Sequence, residues 1–145
     1  EDGATRLQII GDPRGGPRRP HDARLRGDVL TLFDNRTATG QPARAVAYRI
    51  DQDAGTATML WQVESPTGAS SAGLGSVQVL DDGSVLVNWG AGISPMFQVL
   101  DAGFDPVMSI AQTDGASYRI RYEPPSSFDR SLLRIFAGGT AEAPG

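Results

Sequence analysis

Turn-forming residues divide this chain into short apolar runs, and this spacing restricts the possible fold more than any other feature. Eighteen glycines and ten prolines are spread over 145 residues. Several runs between them alternate apolar and polar residues, as in the stretch from Val46 to Ile50. Such alternation predicts a strand with one buried face. Only Ser127–Phe136 is ambiguous between helix and strand, so the sequence predicts an all-β protein.

The apolar runs predict individual strands with definite bounds. These are Thr5–Ile10, Ala23–Leu25, Val29–Phe33, Ala45–Ile50, Thr56–Val63, Ser76–Leu80, Val85–Trp89, Met96–Leu100, Val107–Gln112, Tyr118–Tyr122 and Leu132–Phe136.

A strand–turn–strand unit occurs twice. Residues 23–32 form the first copy and residues 77–87 the second, each with a glycine at the turn. A third strand that ends in Asp51 or Asp101 follows each copy, and a fourth strand comes next. Four strands recurring about every 50 residues are typical of β-propeller blades, each a four-stranded antiparallel meander. The alternative is a meandering β protein of another kind, since such units are common.

On the propeller interpretation, residues 21–64 and 74–113 form two blades. Thr5–Ile10 would then end an earlier blade, and Tyr118–Tyr122 would begin a later one. We expect a single domain over residues 1–136 and a flexible tail over residues 137–145. Closed propellers have about four to eight blades, so about two and a half blades make an incomplete propeller. The chain would be a fragment, would self-associate or join the remaining propeller chain, or would close into a smaller sandwich.

Composition excludes several classes of partner. The formal net charge is -4 and all 13 basic residues are arginines, without a basic stripe, so we predict no nucleic-acid partner. Cysteine is absent, which removes disulfides and thiolate metal sites, and we predict no metal and no cofactor. The sequence contains no run of about 18 apolar residues, so it predicts no membrane span. We expect an exported protein, secreted or in the periplasm or cell envelope.

His21 is the only histidine. It is predicted to begin a strand, and Asp, Asn and Arg residues stand near neighbouring strand ends. This setting could hold a nucleophilic imidazole among charge-stabilising partners. The alternative is a surface histidine or a hydrogen-bonded structural one.

A series of short motifs runs through the chain in a fixed order. It comprises His-Asp-Ala from His21, Leu-Phe-Asp-Asn ending at Asn35, Arg-Ala-Val-x-Tyr-x-Ile-Asp from Arg44, Thr-Ala-Thr-x-x-Trp from Thr56, Gly-Ser-Val-Gln-x-Leu from Gly75, and Trp-Gly at Trp89. In order and spacing this series resembles the arylsulfotransferase family of bacterial β-propeller enzymes. The resemblance covers roughly residues 20–122.

The resemblance implies that an aryl sulfate donates a sulfuryl group to a phenolic acceptor through a sulfohistidine, which would make the protein a transferase. His21 would carry the group, Arg44 would stabilise developing charge, and Arg24 and Asn35 would bind substrate. Asp22 would orient the imidazole or cap a turn. The enzymes resembled use further histidines and an arginine from other blades, and this chain has no second histidine. A non-catalytic propeller binding module and a structural assembly protein are the alternatives.

Trp61 and Trp89 have two interpretations. They could stack an aryl substrate, or they could pack in the core, since both lie inside predicted strands.

Overall fold

The computed structural model describes residues 7–111 and 116–124, which contain strands and turns but no helix. Nine strands follow one another: β1 Gln8–Ile10, β2 Pro20–Arg26, β3 Val29–Asp34, β4 Arg44–Asp51, β5 Thr56–Glu64, β6 Ser76–Val79, β7 Val85–Asn88, β8 Phe97–Leu100 and β9 Pro106–Ile110. The predicted all-β class is confirmed for this part of the chain.

Two sheets are formed. The first has the order β1-β5-β4-β3-β2 and the second the order β6-β7-β8-β9. Strands β2 to β5 in the first sheet and β6 to β9 in the second pair antiparallel, each with the strand that precedes or follows it in the chain. Local turns explain this order, since antiparallel neighbours need only a short connection.

Three predicted strands differ from the structure or lie outside its described part. The run Thr5–Ile10 was predicted to belong to an earlier blade, which is wrong for its described part: β1 pairs in parallel with β5 and extends the first sheet. Tyr118–Tyr122 does not form the predicted strand, because its backbone bonds the side chains of Ser76 and Gln78 instead of a neighbouring strand. The third, Leu132–Phe136, and the predicted tail at residues 137–145 lie outside the described residues.

The main core lies between the two sheets. Phe33 and Ala45 of the first sheet pack with Val77 and Val87 of the second sheet and with Trp89, which follows β7. Trp89 is 1% exposed, meets Phe33 edge-on at 6.1 Å and donates from Nε1 to Gln98 Oε1 at 3.0 Å. The core interpretation is therefore confirmed for Trp89.

A second core covers the other face of the first sheet. Leu32, Val46, Tyr48 and Ala57 are buried there, with Leu7 and Ile9 packed against them. The prediction that β4 buries only one face is wrong, since all residues from Arg44 to Tyr48 are buried. The strand is central in its sheet and is covered on both sides.

Glycine is required where the loop before β6 meets the first sheet. Gly75 has a φ of +97°, and a Cβ there would lie 2.4 Å from the Phe33 ring. Only a residue without a side chain allows this approach and this backbone conformation together. The contact fixes the start of β6 against β3, close to Asn35.

Candidate functional site

His21 lies at the beginning of β2, opposite Phe33 of β3. Its Nδ1 is 2.5 Å from Oδ1 of Asn35, the residue that follows β3. Asn35 is fully buried and donates from Nδ2 to the Leu74 carbonyl at 2.9 Å, which leaves Oδ1 to face the imidazole. Since an amide oxygen only accepts, Nδ1 carries the proton and Nε2 keeps its lone pair in the neutral ring. The structure thus brings His21 and Asn35 together.

Asp22 does not contact the imidazole through any hydrogen bond in the described structure, and it does not cap a turn. It has a φ of 50° at a β-bulge between His21 and Arg24. Its carboxylate accepts hydrogen bonds from Arg24 and from the backbone N–H of Val77 at 3.2 Å, and it forms a salt bridge with Arg119 Nε at 3.1 Å. Asp22 therefore ties β2 to β6 and to the segment that contains Arg119.

Arg44 occupies a different environment. Its side chain is fully buried, and it donates from Nε to Asp34 at 2.9 Å and from both terminal nitrogens to Asp12 at 2.7 and 3.0 Å. Further bonds reach Gln62 Oε1 at 2.6 Å and the Tyr48 hydroxyl at 3.4 Å. The guanidinium has no donor left for a substrate, because all five N–H groups have partners.

Arg44 and His21 also lie on opposite faces of the first sheet. Asp34, which binds Arg44, and Phe33, which pairs with His21, are adjacent in β3 and so point to opposite sides. The geometry corrects the prediction that Arg44 stabilises charge at the imidazole: its place is structural.

Several residues of this buried network were missed by sequence reasoning. Arg36, 3% exposed, donates from Nε to Asp34 at 2.8 Å, and Tyr48 donates its hydroxyl to Asp12 at 2.6 Å. Asp12 also accepts from the backbone N–H groups of Arg14 and Gly16. Asp34 on β3 lies directly opposite Arg44 on β4. Oppositely charged residues at the ends of two neighbouring strands were therefore the only feature of the sequence that indicated this network.

The network shifts the ionisation of its members. Burial raises the pKa of the Asp12 carboxyl, but hydrogen bonds from Arg44, Tyr48 and the Arg14 backbone outweigh it and hold that pKa well below its usual range. Burial and the bond to Asp12 raise the pKa of the Tyr48 phenol well above its usual range. Asp12 is therefore ionised and Tyr48 protonated across the neutral pH range.

This depressed pKa predicts an acid-sensitive contribution to stability. A carboxyl whose pKa is lower folded than unfolded stabilises the protein above the unfolded value of about 4. That contribution is lost as the pH falls through the range below about 4. In urea unfolding at pH 7 to 2, the wild type should lose free energy of unfolding more steeply below about pH 4 than Asp12→Asn does. Parallel pH curves for the two proteins would contradict the assignment.

Arg24 lies three residues beyond His21 on β2. It pairs with Asp22 from Nε at 3.0 Å and from Nη2 at 2.8 Å, and its side chain is 21% exposed. It lines a cavity of about 360 Å³ between the two sheets, together with Trp61. Trp61 packs on Phe104 at 5.3 Å, so it serves the core and also borders this cavity.

Residues 7–111 and 116–124 contain no group of three or more His, Asp or Glu side chains that could hold a metal ion. No helix in that part is long and apolar enough to cross a membrane.

No family model matches the chain, and a search of curated proteins gives no significant match.

Proposed function

We propose that this chain is the histidine-bearing part of a β-propeller arylsulfotransferase-like enzyme. The observation that carries the proposal is the bond between His21 Nδ1 and buried Asn35. It fixes the ring and its tautomer, so that Nε2 is the nitrogen with a lone pair. A non-catalytic binding module is the second candidate, and the cavity between the sheets favours it.

The propeller part of the proposal rests on the two meanders. Each begins with a strand at the edge of its sheet, β2 or β6, and the two sheets contact each other through β2, β3 and β6. This is the arrangement expected of neighbouring blades. The strand that bears His21 would then face the axis of the complete propeller, where the histidines and arginine of other blades would contribute. The exported location is part of the same proposal.

The chemistry would be sulfuryl transfer in two displacements. Nε2 attacks the sulfur of an aryl sulfate, an N–S bond forms, and the S–O bond to the aryl group breaks to release a phenolate. A phenolic acceptor then loses its proton to water and attacks the same sulfur, and the N–S bond breaks to regenerate neutral His21. Negative charge develops on the leaving oxygen, so a cation is needed nearby. Arg24 replaces Arg44 as the candidate for this cation, because it lies on the same strand as His21 and its side chain is partly exposed to solvent.

The direct test is turnover of 4-nitrophenyl sulfate with phenol as acceptor, followed by release of the coloured phenol. We expect ping-pong kinetics, because donor and acceptor react in separate steps. A protein that turns over none of a varied set of donors and acceptors would instead support the binding-module alternative.

A further inference from the structure

The cavity between the two sheets lies away from His21. Arg24, three residues after His21 on β2, is the lining residue nearest to His21 in the sequence. Neither His21 nor Asn35 lines it. The principal lining residues are Arg24, Arg26, Thr31, Leu60, Trp61 and Val79.

The shape of the cavity follows from the sheet register. Thr31, Ala47 and Trp61 form one cross-strand row on the face of the first sheet that meets the second. Ala47 is the smallest of the three and is fully buried, so the row leaves a depression beside the indole. Leu60 on one side and Val79 on the other add apolar wall. A flat apolar group such as an aromatic ring would fill this space.

The two charged residues that line the cavity are both arginines, Arg24 and Arg26, although the chain as a whole carries a net charge of -4. Arg24 and Arg119 share the single carboxylate of Asp22. Arg26 is exposed and donates only to the Val79 carbonyl at 3.4 Å, with no carboxylate in salt-bridge range among the described residues. Of the two arginines that line the cavity, Arg24 is paired with Asp22 and Arg26 has no acidic partner, so one guanidinium charge is in excess among the lining residues.

We propose that this cavity binds a small aromatic oxyanion, with its ring against Trp61, Leu60 and Val79 and its acidic group at Arg26 and Arg24. Arginine suits this role, since its planar fork matches carboxylate and sulfonate groups. The cavity shares Arg24 with the proposed sulfuryl-transfer site, but His21 and Asn35 do not line it, so binding here does not require the imidazole.

The test is isothermal titration of the full chain with 1-naphthoate. Neutral 1-naphthalenemethanol and acetate serve as probes of the ring alone and of the charge alone. We expect naphthoate to bind at least about tenfold more tightly than either, because only naphthoate uses both halves of the site. Equal binding of naphthoate and the alcohol, or no binding of naphthoate, would overturn the proposal.

Substitutions locate the binding. Arg26→Gln should weaken naphthoate binding about tenfold, the effect of losing one charge-assisted hydrogen bond. Arg49→Gln is the matched control, because Arg49 is an exposed arginine of the same sheet that pairs with Asp28 outside the cavity. His21→Ala should leave naphthoate binding unchanged, because His21 does not line the cavity. An Arg49→Gln effect equal to that of Arg26→Gln, or loss of binding in a folded His21→Ala variant, would refute the site.

Discussion

Arg44→Met should lower the free energy of unfolding by about 3–5 kcal/mol, the usual effect of removing one partner from a buried ion pair. The substitution keeps the apolar stem but leaves the carboxylates of Asp12 and Asp34 without their shared guanidinium. Both carboxylates are fully buried, so water cannot replace the lost partner. Urea unfolding at pH 7 measures the change.

Arg49→Met is the control for this prediction. Arg49 lies on the same strand, and its pair with Asp28 is 60% and 63% exposed at 3.3 Å. Exposed pairs of this kind contribute less than about 1 kcal/mol. An Arg44→Met protein as stable as Arg49→Met would show that the buried network does not hold the sheet together.

The same variant separates a structural role of Arg44 from a catalytic one. If the role of Arg44 is structural, aryl sulfate turnover by Arg44→Met should fall only in proportion to the fraction of the protein that remains folded. A fully folded variant with a lowered rate would restore Arg44 to the catalytic site.

Local pattern accounts for the parts of the fold that could be predicted. Strands β2 to β9 follow from alternating residues and glycine turns, because hairpin partners are close in sequence. The parallel pairing of β1 with β5 could not be predicted, since it joins Gln8 to Thr56 without a local turn. Residues 118–122 have a strand-like composition, but their partners are the Ser76 and Gln78 side chains.

The candidate site, like the fold, could be predicted only in part from the sequence. The proximity of His21 and Asn35 could be predicted, because both lie at the ends of neighbouring predicted strands. Arg44 was assigned to the same site because it also lies at a strand end, but adjacent residues of β3 face opposite sides of the sheet. Asp12 has its partner Arg44 32 residues away, so nothing in the Gly-Asp-Pro turn indicated the network.

His21→Ala should abolish aryl sulfate turnover and leave the fold intact. No other side chain of the chain offers a neutral nitrogen nucleophile at pH 7, because all the basic residues besides His21 are arginines and remain protonated. His21 is only half-buried, and its loss removes one hydrogen bond, which contributes about 1 kcal/mol. Phenol release measures the rate, and circular dichroism with urea unfolding checks the fold.

His21→Gln is a useful companion, because its amide could still reach Asn35 but is not nucleophilic. Both His21 variants should be inactive while remaining folded, whereas Arg49→Gln should retain full activity. Full activity in either His21 variant would remove the imidazole from the mechanism.

The intact mass of the protein after mixing with aryl sulfate, without an acceptor, tests the central claim most directly. The wild type should gain the mass of one sulfuryl group, located at His21 by fragmentation and lost again when phenol is added. A wild type that turns over the donor without gaining this mass, or a His21→Ala protein that gains it, would contradict the account.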